Sequence, residues 1–335
     1  MIDTIYVEEG VRNHPRAQAL MQRYKGADVV PCERYGEVFN RKSQSFRLQK
    51  KNPALILAEK FEGHVLPTPE GYGVGSVANF YFSHMLNCLY DCRYCFLQGM
   101  YRSANYVLFV NYEDFQKSID QVLNLHAEQE ACYFFSGYDC DSLALESLSQ
   151  FLPSFLPFFR ERPRAWLELR TKSIAVGGLL REEPFENCVV AFSMTPHEVA
   201  EKVEHGAPSV EKRIEAMVRL AERGWNLGLR FDPLIYHLDY ARRYAELFES
   251  VFSRVPAERI HSVSMGPLRF PTTMFRRIHS LYPESKLLAG DLVKNGDMVA
   301  YSKELEAEMD QKCRELLMNY VPESIFFSCT PQVGA

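Results

Sequence analysis

Several features that mark other classes of protein are missing from this sequence of 335 residues. No apolar run approaches the roughly 18 residues that suggest a membrane span. The chain begins Met-Ile-Asp-Thr-Ile-Tyr, with no basic segment followed by an apolar one, so we expect a cytoplasmic location and no membrane partner. The formal net charge of -5 argues against a protein that coats nucleic acid by global electrostatics. A local basic groove is still compatible with that charge.

Cysteine, in contrast, is plentiful, and its spacing is informative. Of nine cysteines, Cys88, Cys92 and Cys95 stand in the run Cys-Leu-Tyr-Asp-Cys-Arg-Tyr-Cys. A tight loop with this CxxxCxxC spacing can direct three thiolates at one face of an iron–sulfur cube, and no fourth cysteine closes the coordination. One iron is then left for a small-molecule ligand. The spacing, with an aromatic residue before the last cysteine, resembles the radical S-adenosylmethionine signature.

Zinc and disulfides are the alternative interpretations of these cysteines. Structural zinc takes four protein ligands, usually as two separated pairs, and no second CxxC or HxxxH follows, although His84 is a nearby candidate. A disulfide requires an oxidising compartment. A zinc-stabilised nucleic-acid-binding protein without catalysis therefore stays as an alternative of another class. Five other cysteines are interpreted as reduced, buried thiols: Cys32, Cys132, Cys188, Cys313 and Cys329.

Short apolar runs alternate with helical patterns along the chain, which predicts parallel β/α units. The 335 residues, 47% of them hydrophobic, are enough for one barrel-sized core or two smaller ones. Helices are predicted from Asn111 as N-cap, over 143–155, and from Ser209 to Gly224. About six strands suit an α/β fold with an open, partial (β/α)6 TIM-like barrel rather than the full eight-stranded one. The predicted strands are 77–82, 131–135, 165–169, 188–192, 227–231 and 259–265.

We predict three parts: an N-terminal α/β extension over 1–75, the barrel over 76–280, and a C-terminal β-hairpin and helix over 281–335. In a barrel of this kind the working residues lie on the loops after the strands. The cysteine loop follows the first strand. Polar residues after later strands are therefore candidates to bind a cofactor: Ser136, Gly137, Lys172, Ser193 and Arg230.

The longer motifs of the chain resemble the spore photoproduct lyase family, a DNA-repair branch of the radical S-adenosylmethionine enzymes. The similarity runs over most of the length. Its longest stretch is not required by radical S-adenosylmethionine chemistry in general, so that stretch indicates this particular family. The matching segments are Ile5-Tyr6-Val7-Glu8, the cysteine loop with Phe96-Leu97-Gln98, Thr171-Lys172, Phe192-Ser193, Glu204-His205-Gly206-Ala207-Pro208-Ser209, Glu211-Lys212-Arg213-Ile214-Glu215-Ala216, Gly224-Trp225 and Leu227-Gly228.

The resemblance implies a carbon–carbon lyase that uses a 4Fe-4S cluster and S-adenosylmethionine. In the family, a 5′-deoxyadenosyl radical takes hydrogen from a methylene-bridged thymine dimer in DNA, and the lesion is swung out of the helix. The resemblance further implies Cys88, Cys92 and Cys95 as cluster ligands, Lys172 and Ser193 near S-adenosylmethionine, and Tyr94 in a radical-return path. We also expect a reductant such as flavodoxin or ferredoxin, and a monomer.

The chain departs from the family where the substrate would react. Phe96 replaces a second relay tyrosine and has no hydroxyl hydrogen to give. The family's donor cysteine falls on Tyr138, while Cys140 lies two residues further on, about 7 Å along an extended strand. Cys140 and Tyr138 are both candidate donors. Another nucleic-acid lesion or a modified nucleoside is the alternative substrate.

The expected DNA-contacting hairpin also differs from the family's. It corresponds to 287–301, where the basic aromatic run is missing and Lys294-Asn295-Gly296-Asp297 predicts a tight turn. Asp291 and Asp297 would repel phosphates. A second candidate for tracking phosphates is a basic strip containing Phe46 that could equally be a solvated surface segment; its charged members are Arg41, Lys42, Arg47, Lys50 and Lys51.

Overall fold

The structure is a computed structural model that describes residues 2–69, 71–74 and 78–329. Its strands are β1 Thr4–Glu8, β2 Asp28–Cys32, β3 Leu55–Ala58, β4 Leu66–Pro67, β5 Asn79–Tyr81, β6 Met85–Leu86, β7 Asp91–Cys92, β8 Tyr106–Phe109, β9 Cys132–Phe135, β10 Ala165–Thr171, β11 Cys188–Ser193, β12 Glu204–His205, β13 Asn226–Leu234, β14 Ile260–Pro267, β15 Arg269–Pro271, β16 Val293–Asn295, β17 Met298–Ala300 and β18 Phe326–Ser328. Its α-helices are α1 Pro15–Arg23, α2 Tyr35–Phe39, α3 Phe46–Lys51, α4 Leu97–Met100, α5 Tyr112–Leu125, α6 Glu146–Ser149, α7 Phe151–Arg160, α8 Gly177–Arg181, α9 His197–Val203, α10 Val210–Arg223, α11 Tyr240–Phe252, α12 Thr272–Leu281 and α13 Lys303–Leu317.

A curled, half-open barrel sheet is the centre of the molecule. In the described part of the chain it has eight strands, in the order β18-β14-β13-β11-β10-β9-β5-β4. All neighbouring strands pair in parallel except β4, which runs antiparallel to β5 at the edge. Parallel strands align their carboxyl ends on one side of a sheet, so the loops after them share one edge. The predicted partial α/β barrel is confirmed.

A second sheet, β2-β1-β3-β8-β6, contains the N-terminal strands. It also takes β6 and β8 from beyond residue 75, so the two sheets are joined through the segment that carries the cysteines. A third sheet, β15-β17-β16, contains the expected hairpin, in which Asn295 pairs with Met298 around Gly296 and Asp297. Gly296 has a φ of +61°, a conformation that a tight turn requires and glycine tolerates. The predicted turn is confirmed, whereas the three-part division stays a prediction.

Sequence and structure differ at two of the predicted helices. The predicted helix over 143–155 is two helices, α6 and α7, because Gln150 takes a left-handed φ of +51°. Pro153, which lacks an N–H, then falls in the first turn of α7, where that loss is tolerated. Asn111 does precede α5, but its side chain bonds to Lys60 and Asp114 instead of capping the helix.

Two strands of the barrel sheet also differ from the prediction. The predicted strand over 77–82 is shortened to β5, and Val77 lies outside the described residues. Strand β18, which adds a seventh parallel strand beside β14, was not predicted. The cap at Ser209 and the end at Gly224 are confirmed: the Ser209 side chain accepts from the Lys212 N–H, and Gly224 has a φ of +101°.

Candidate active site

One pocket opens at the carboxyl ends of the barrel strands. It brings together the cysteine loop, defined as Cys88 to Cys95, and residues that follow the later strands β9, β10, β11, β13, β14 and β18. The lining also includes most of the candidates named from the sequence. Those that line it are Cys88, Cys92, Tyr94, Cys95, Gly137, Tyr138, Cys140, Lys172 and Ser193. Ser136 and Arg230 are not part of the lining.

The three cysteines of the loop are buried or half-buried. Burial raises the pKa of the Cys88 thiol to about 12 and raises those of Cys92 and Cys95, with the Lys172 ammonium opposing the last two shifts. Thiols of this kind lose their protons only when a metal replaces them, so cluster binding should release protons. Across residues 2–69, 71–74 and 78–329, no three Cys, His, Asp or Glu side chains form a set that could hold one metal ion.

The cysteine loop is anchored on both sides. Lys50 donates from Nζ to the Cys88 carbonyl at 2.5 Å, which gives one member of the basic strip a role in positioning the loop. On the other side, β7 pairs with β12 so that Cys92 lies opposite Glu204. Tyr94, next to Cys95, donates its hydroxyl to Glu204, and Arg213 also donates to that carboxylate.

Lys172 is a second cation beside the cysteine loop. Its Nζ lies 5.3 Å from the centre of the Tyr94 ring. Burial alone would lower the pKa of Lys172, but the negative charges of Cys92 in its thiolate form and of Glu204 raise it, so the ammonium keeps its charge. A half-buried ammonium beside the cysteine loop suits the carboxylate of an amino-acid ligand. Ser193, at the end of β11, lies in the same lining.

Of the other three predicted cofactor residues, Gly137 lines the pocket, whereas Ser136 and Arg230 do not. A Cβ on Gly137 would come within 2.8 Å of the Arg170 carbonyl, so only glycine allows this close approach. Ser136 is fully buried and bonds to Ser142 and to the Glu168 carbonyl. Arg230, also fully buried, donates from Nη2 to Glu168 at 2.6 Å. The last two residues therefore support the strand ends from within the barrel.

The two candidate hydrogen donors have different surroundings. The Tyr138 ring stacks on Tyr81 with centroids 4.2 Å apart and lies 5.6 Å from Phe96. Cys140 donates its thiol to the Ser136 carbonyl at 3.7 Å, and burial raises its pKa well above the usual value. Both side chains still line the pocket, so the two-residue offset does not remove the Cys140 thiol from it.

Sequence reasoning missed Cys329, which was interpreted as a buried core thiol. It follows β18 and lines the pocket, with its Sγ 3.2 Å from Oδ2 of Asp232. Burial and the Asp232 charge raise its pKa to about 12, so the S–H is retained at neutral pH. The apolar run Ile325-Phe326-Phe327 before it was the available signal, because it has the same strand-then-polar pattern as the other pocket residues.

The rest of the expected basic and metal-binding residues are placed elsewhere. Phe46 is buried, and Arg47 pairs with Glu284 at 3.0 Å. His84 is buried against Phe151, with ring centroids 4.3 Å apart, and burial lowers its pKa to about 3. It does not line the pocket, so it is packed as a neutral core histidine. Within the described residues, every helix is too short or too polar to cross a lipid bilayer.

A half-open parallel barrel with three cysteines in the loop after its first strand defines a radical S-adenosylmethionine enzyme. The comparisons with known proteins narrow this class. The family model described as "Spore photoproduct lyase" matches residues 76–327, well over half of the chain. This chain belongs to the spore photoproduct lyase family.

Individual relatives agree with that assignment. The chain is 24% identical over 288 residues to the spore photoproduct lyase of Bacillus subtilis (strain 168), covering 84% of this chain and 83% of that protein. It is 24% identical over 237 residues to the enzyme of Geobacillus sp. (strain Y412MC61), covering 68% of each. A solved spore photoproduct lyase variant with bound S-adenosylmethionine and dinucleoside spore photoproduct has a TM-score of 0.84 at 19% identity, covering 98% of both chains.

Family membership confirms the predicted enzyme class. The chain is a radical S-adenosylmethionine lyase whose cofactors are a 4Fe-4S cluster and S-adenosylmethionine. The zinc-stabilised binding protein, which has no catalytic role, is set aside by this assignment. Cys329 lies just beyond the matched range, which ends at residue 327. The matched family region therefore does not include this cysteine.

Proposed function

We propose that this chain is a cytoplasmic DNA-repair lyase that opens a methylene-bridged thymine dimer. The observation that carries the proposal is one pocket lined by the three loop cysteines, Lys172 and two further thiols. All nine cysteines lie among the described residues and are free there, as expected in a reducing compartment. A flavodoxin or ferredoxin would supply the electron, and the enzyme would act as a monomer.

The donor set in the pocket fits the cofactors. Cys88, Cys92 and Cys95 would hold three irons of the cluster and leave one open. Lys172 would pair with the carboxylate of S-adenosylmethionine, and Ser193 would line the same space. When bound, the cluster and S-adenosylmethionine supply a 5′-deoxyadenosyl radical. The role of the protein is to bind both, exclude water and direct the radical at the lesion.

Aromatic and basic side chains give the pocket a surface for a flipped-out lesion. Tyr72 is 38% exposed, and Arg269 lies 5.1 Å over its ring and 3.3 Å from its hydroxyl. The Tyr138 ring, stacked on Tyr81, also lines the pocket. Bases stack on tyrosine rings irrespective of sequence. Arg269 would then bind a phosphate beside the lesion.

A carbon radical on the opened thymine needs a hydrogen atom, and a thiol is the best protein donor. Cys140 and Cys329 both keep their S–H in the pocket, whereas Tyr138 offers a phenol at the position of the family's donor cysteine. On donation, the S–H bond breaks, a C–H bond forms and a thiyl radical remains. The thiyl radical would be returned to the thiol by a hydrogen atom from an added small-molecule thiol, whose own thiyl radicals then couple to a disulfide.

The overall proposal is tested with ultraviolet-irradiated DNA. Reduced, reconstituted protein is incubated with this DNA and S-adenosylmethionine, and the digested nucleosides are analysed by mass spectrometry. We expect loss of the methylene-bridged dimer and recovery of thymidine. Cleavage of S-adenosylmethionine without dimer loss would contradict the substrate and favour the alternative, a different lesion or a modified nucleoside, which the changed donor position also suggests.

The donor is identified by comparing Cys140→Ala, Cys329→Ala and Tyr138→Phe. Loss of the true donor should leave S-adenosylmethionine cleavage intact and lower the repaired product formed per 5′-deoxyadenosine. Cys188→Ala is the matched control, because Cys188 is a buried strand cysteine outside the pocket. Unchanged product yield in all three variants would contradict every donor considered for this pocket.

A further inference from the structure

A buried ion pair stands behind the cysteine loop without lining the pocket. We propose that Glu204 and Arg213 form a positioning pair that fixes the loop geometry and tunes the reduction potential of the cluster it holds. The proposal rests on the proposed cluster ligands but not on the identity of the DNA lesion. Its evidence is a set of backbone and side-chain contacts to the second half of the loop.

The first contacts are between backbones. Strand β12 runs antiparallel to β7, with Glu204 opposite Cys92 and His205 opposite Asp91. The Arg93 N–H donates to the Val203 carbonyl at 2.8 Å. A two-residue strand has little stability of its own, so this short ladder needs further support. Gly206, with a φ of +79°, turns the chain directly after it.

The side chains supply that support. Tyr94 donates its hydroxyl to one Glu204 oxygen, and Arg213 donates to the other. The Arg213 and Glu204 side chains are 0% and 1% exposed. Arg213 also donates to the Pro208 carbonyl at 2.8 Å and to the Ser193 carbonyl at 3.0 Å. One guanidinium therefore ties the cysteine loop to the end of β11, where Ser193 lines the pocket.

The local sequence explains why Arg213 can make these bonds. Ser209 caps α10, which fixes the first turn of that helix. Arg213 lies one turn into α10, and its side chain reaches back to Pro208, the residue before the cap. The segment from Glu204 to Arg213 thus contains both members of the pair and the turn between them. This gives a physical role to the longest stretch on which the family resemblance depended.

Such a pair is better suited to specifying geometry than to adding stability. A buried ion pair is often no more stable than apolar residues of the same volume, although loss of one partner is costly. Its charge also acts on the site. The potential of an iron–sulfur cluster depends on nearby net charge and hydrogen bonds. Removing the Glu204 charge leaves Arg213 and Lys172 uncompensated beside the loop, which should favour the reduced cluster.

The test uses reconstituted full-length protein with Glu204→Gln, and Glu201→Gln as the control. Glu201 is an exposed residue of α9 that pairs with His197, so it changes the same charge outside the site. Two readouts need no DNA: the midpoint potential from an EPR-monitored redox titration, and the rate of iron loss to a chelator. For Glu204→Gln we expect a more positive potential and iron loss about 10-fold faster, the scale for lost support of a metal ligand.

Two results would overturn the proposal. One is a Glu204→Gln protein with the parent's potential and rate of iron loss. The other is an equal shift in the Glu201→Gln control. If Glu204→Gln does not fold, Tyr94→Phe removes a contact to the pair without leaving a buried charge, and it should still accelerate iron loss. A parent protein that keeps its cluster but leaves the thymine dimer intact would contradict the proposed substrate, and the test of the positioning pair would still be valid.

Discussion

The cysteine loop and the Cys329 edge line the same pocket but are assembled differently. The Cys329 edge is defined here as Asp232, Arg269 and Cys329. The loop places three thiols within eight residues of sequence, and it is held in place by the buried Glu204 and Arg213 and by the half-buried Lys50. The residues of the edge come from or follow the separate strands β13, β15 and β18. A short motif therefore identifies the cysteines that would hold the cluster. Only the tertiary structure shows that Asp232, Arg269 and Cys329 are neighbours in the same pocket, where the substrate radical would react.

The largest effect should follow from breaking the loop. Replacing Cys88, Cys92 or Cys95 with alanine removes a cluster ligand, and reductive cleavage of S-adenosylmethionine should be abolished. The measurement is 5′-deoxyadenosine by liquid chromatography after anaerobic reconstitution and reduction. Cys32→Ala, at the N-terminal sheet, is the control and should retain cleavage. A loop variant that still makes 5′-deoxyadenosine would defeat the ligand assignment.

The next largest effect is expected on stability, at the buried pair of Glu168 and Arg230 that supports the strand ends of the pocket. Burial alone would raise the pKa of Glu168, but Arg230 and Arg170 lower it to about 2 from its usual 4.5. Arg230→Met should lower the free energy of unfolding by about 3–5 kcal/mol because it leaves a buried carboxylate poorly paired. Urea unfolding of the apo-protein, followed by far-ultraviolet circular dichroism, measures this change.

The control for that prediction is Arg223→Met, which breaks the exposed pair with Glu183 and should cost about 0–1 kcal/mol.

The pH dependence of the stability that Glu168 contributes has a defined sign. A lowered pKa means that the Glu168 contribution is complete above the unfolded value of 4.5 and is lost as the pH falls towards 2. Equal losses of unfolding free energy in Arg230→Met and Arg223→Met would contradict a structural role for the buried pair of Glu168 and Arg230.

The smallest effects are expected at the lesion-binding surface. Tyr138→Ala removes a stacking ring and should weaken binding of lesion DNA by about 1–3 kcal/mol. Arg269→Ala should weaken binding and reduce its salt dependence by about one phosphate contact. Fluorescence anisotropy at several salt concentrations measures both. Arg242→Ala, on the exposed face of α11, is the control, and an equal loss there would indicate non-specific electrostatics.

Much of the cysteine loop and the barrel could be predicted from sequence because the signals are local. The CxxxCxxC spacing, the Ser209 cap and the Gly224 end each depend on residues a few positions apart. The short apolar runs of the barrel gave six of its parallel strands for the same reason. The partners of the loop, Lys50 and Glu204, were not predicted, since their contacts join segments separated by 38 and 110 residues.

The remaining errors also have physical causes. Arg230 and Ser136 follow the correct pattern for pocket residues, but neighbouring groups within the barrel bind their side chains. Ser136 alternates with the pocket residues Phe135 and Gly137, whereas Arg230 shares a strand face with Asp232 and is held by Glu168. Cys329 was overlooked because β18 is only three residues long and follows the C-terminal helix. Its relation to Asp232 exists only once β13 and β18 flank β14 in the sheet. No spacing rule reports such a neighbour.

In the proposed function, a radical generated at the cysteine loop takes hydrogen from a thymine lesion held in the same pocket. The most direct measurement uses dinucleoside spore photoproduct deuterated in both thymine bases, with reduced, reconstituted protein and S-adenosylmethionine. Mass spectrometry of the 5′-deoxyadenosine then reports where its new hydrogen came from. We expect deuterium in 5′-deoxyadenosine together with release of the repaired dinucleoside. Unlabelled 5′-deoxyadenosine and an intact lesion would contradict this reaction.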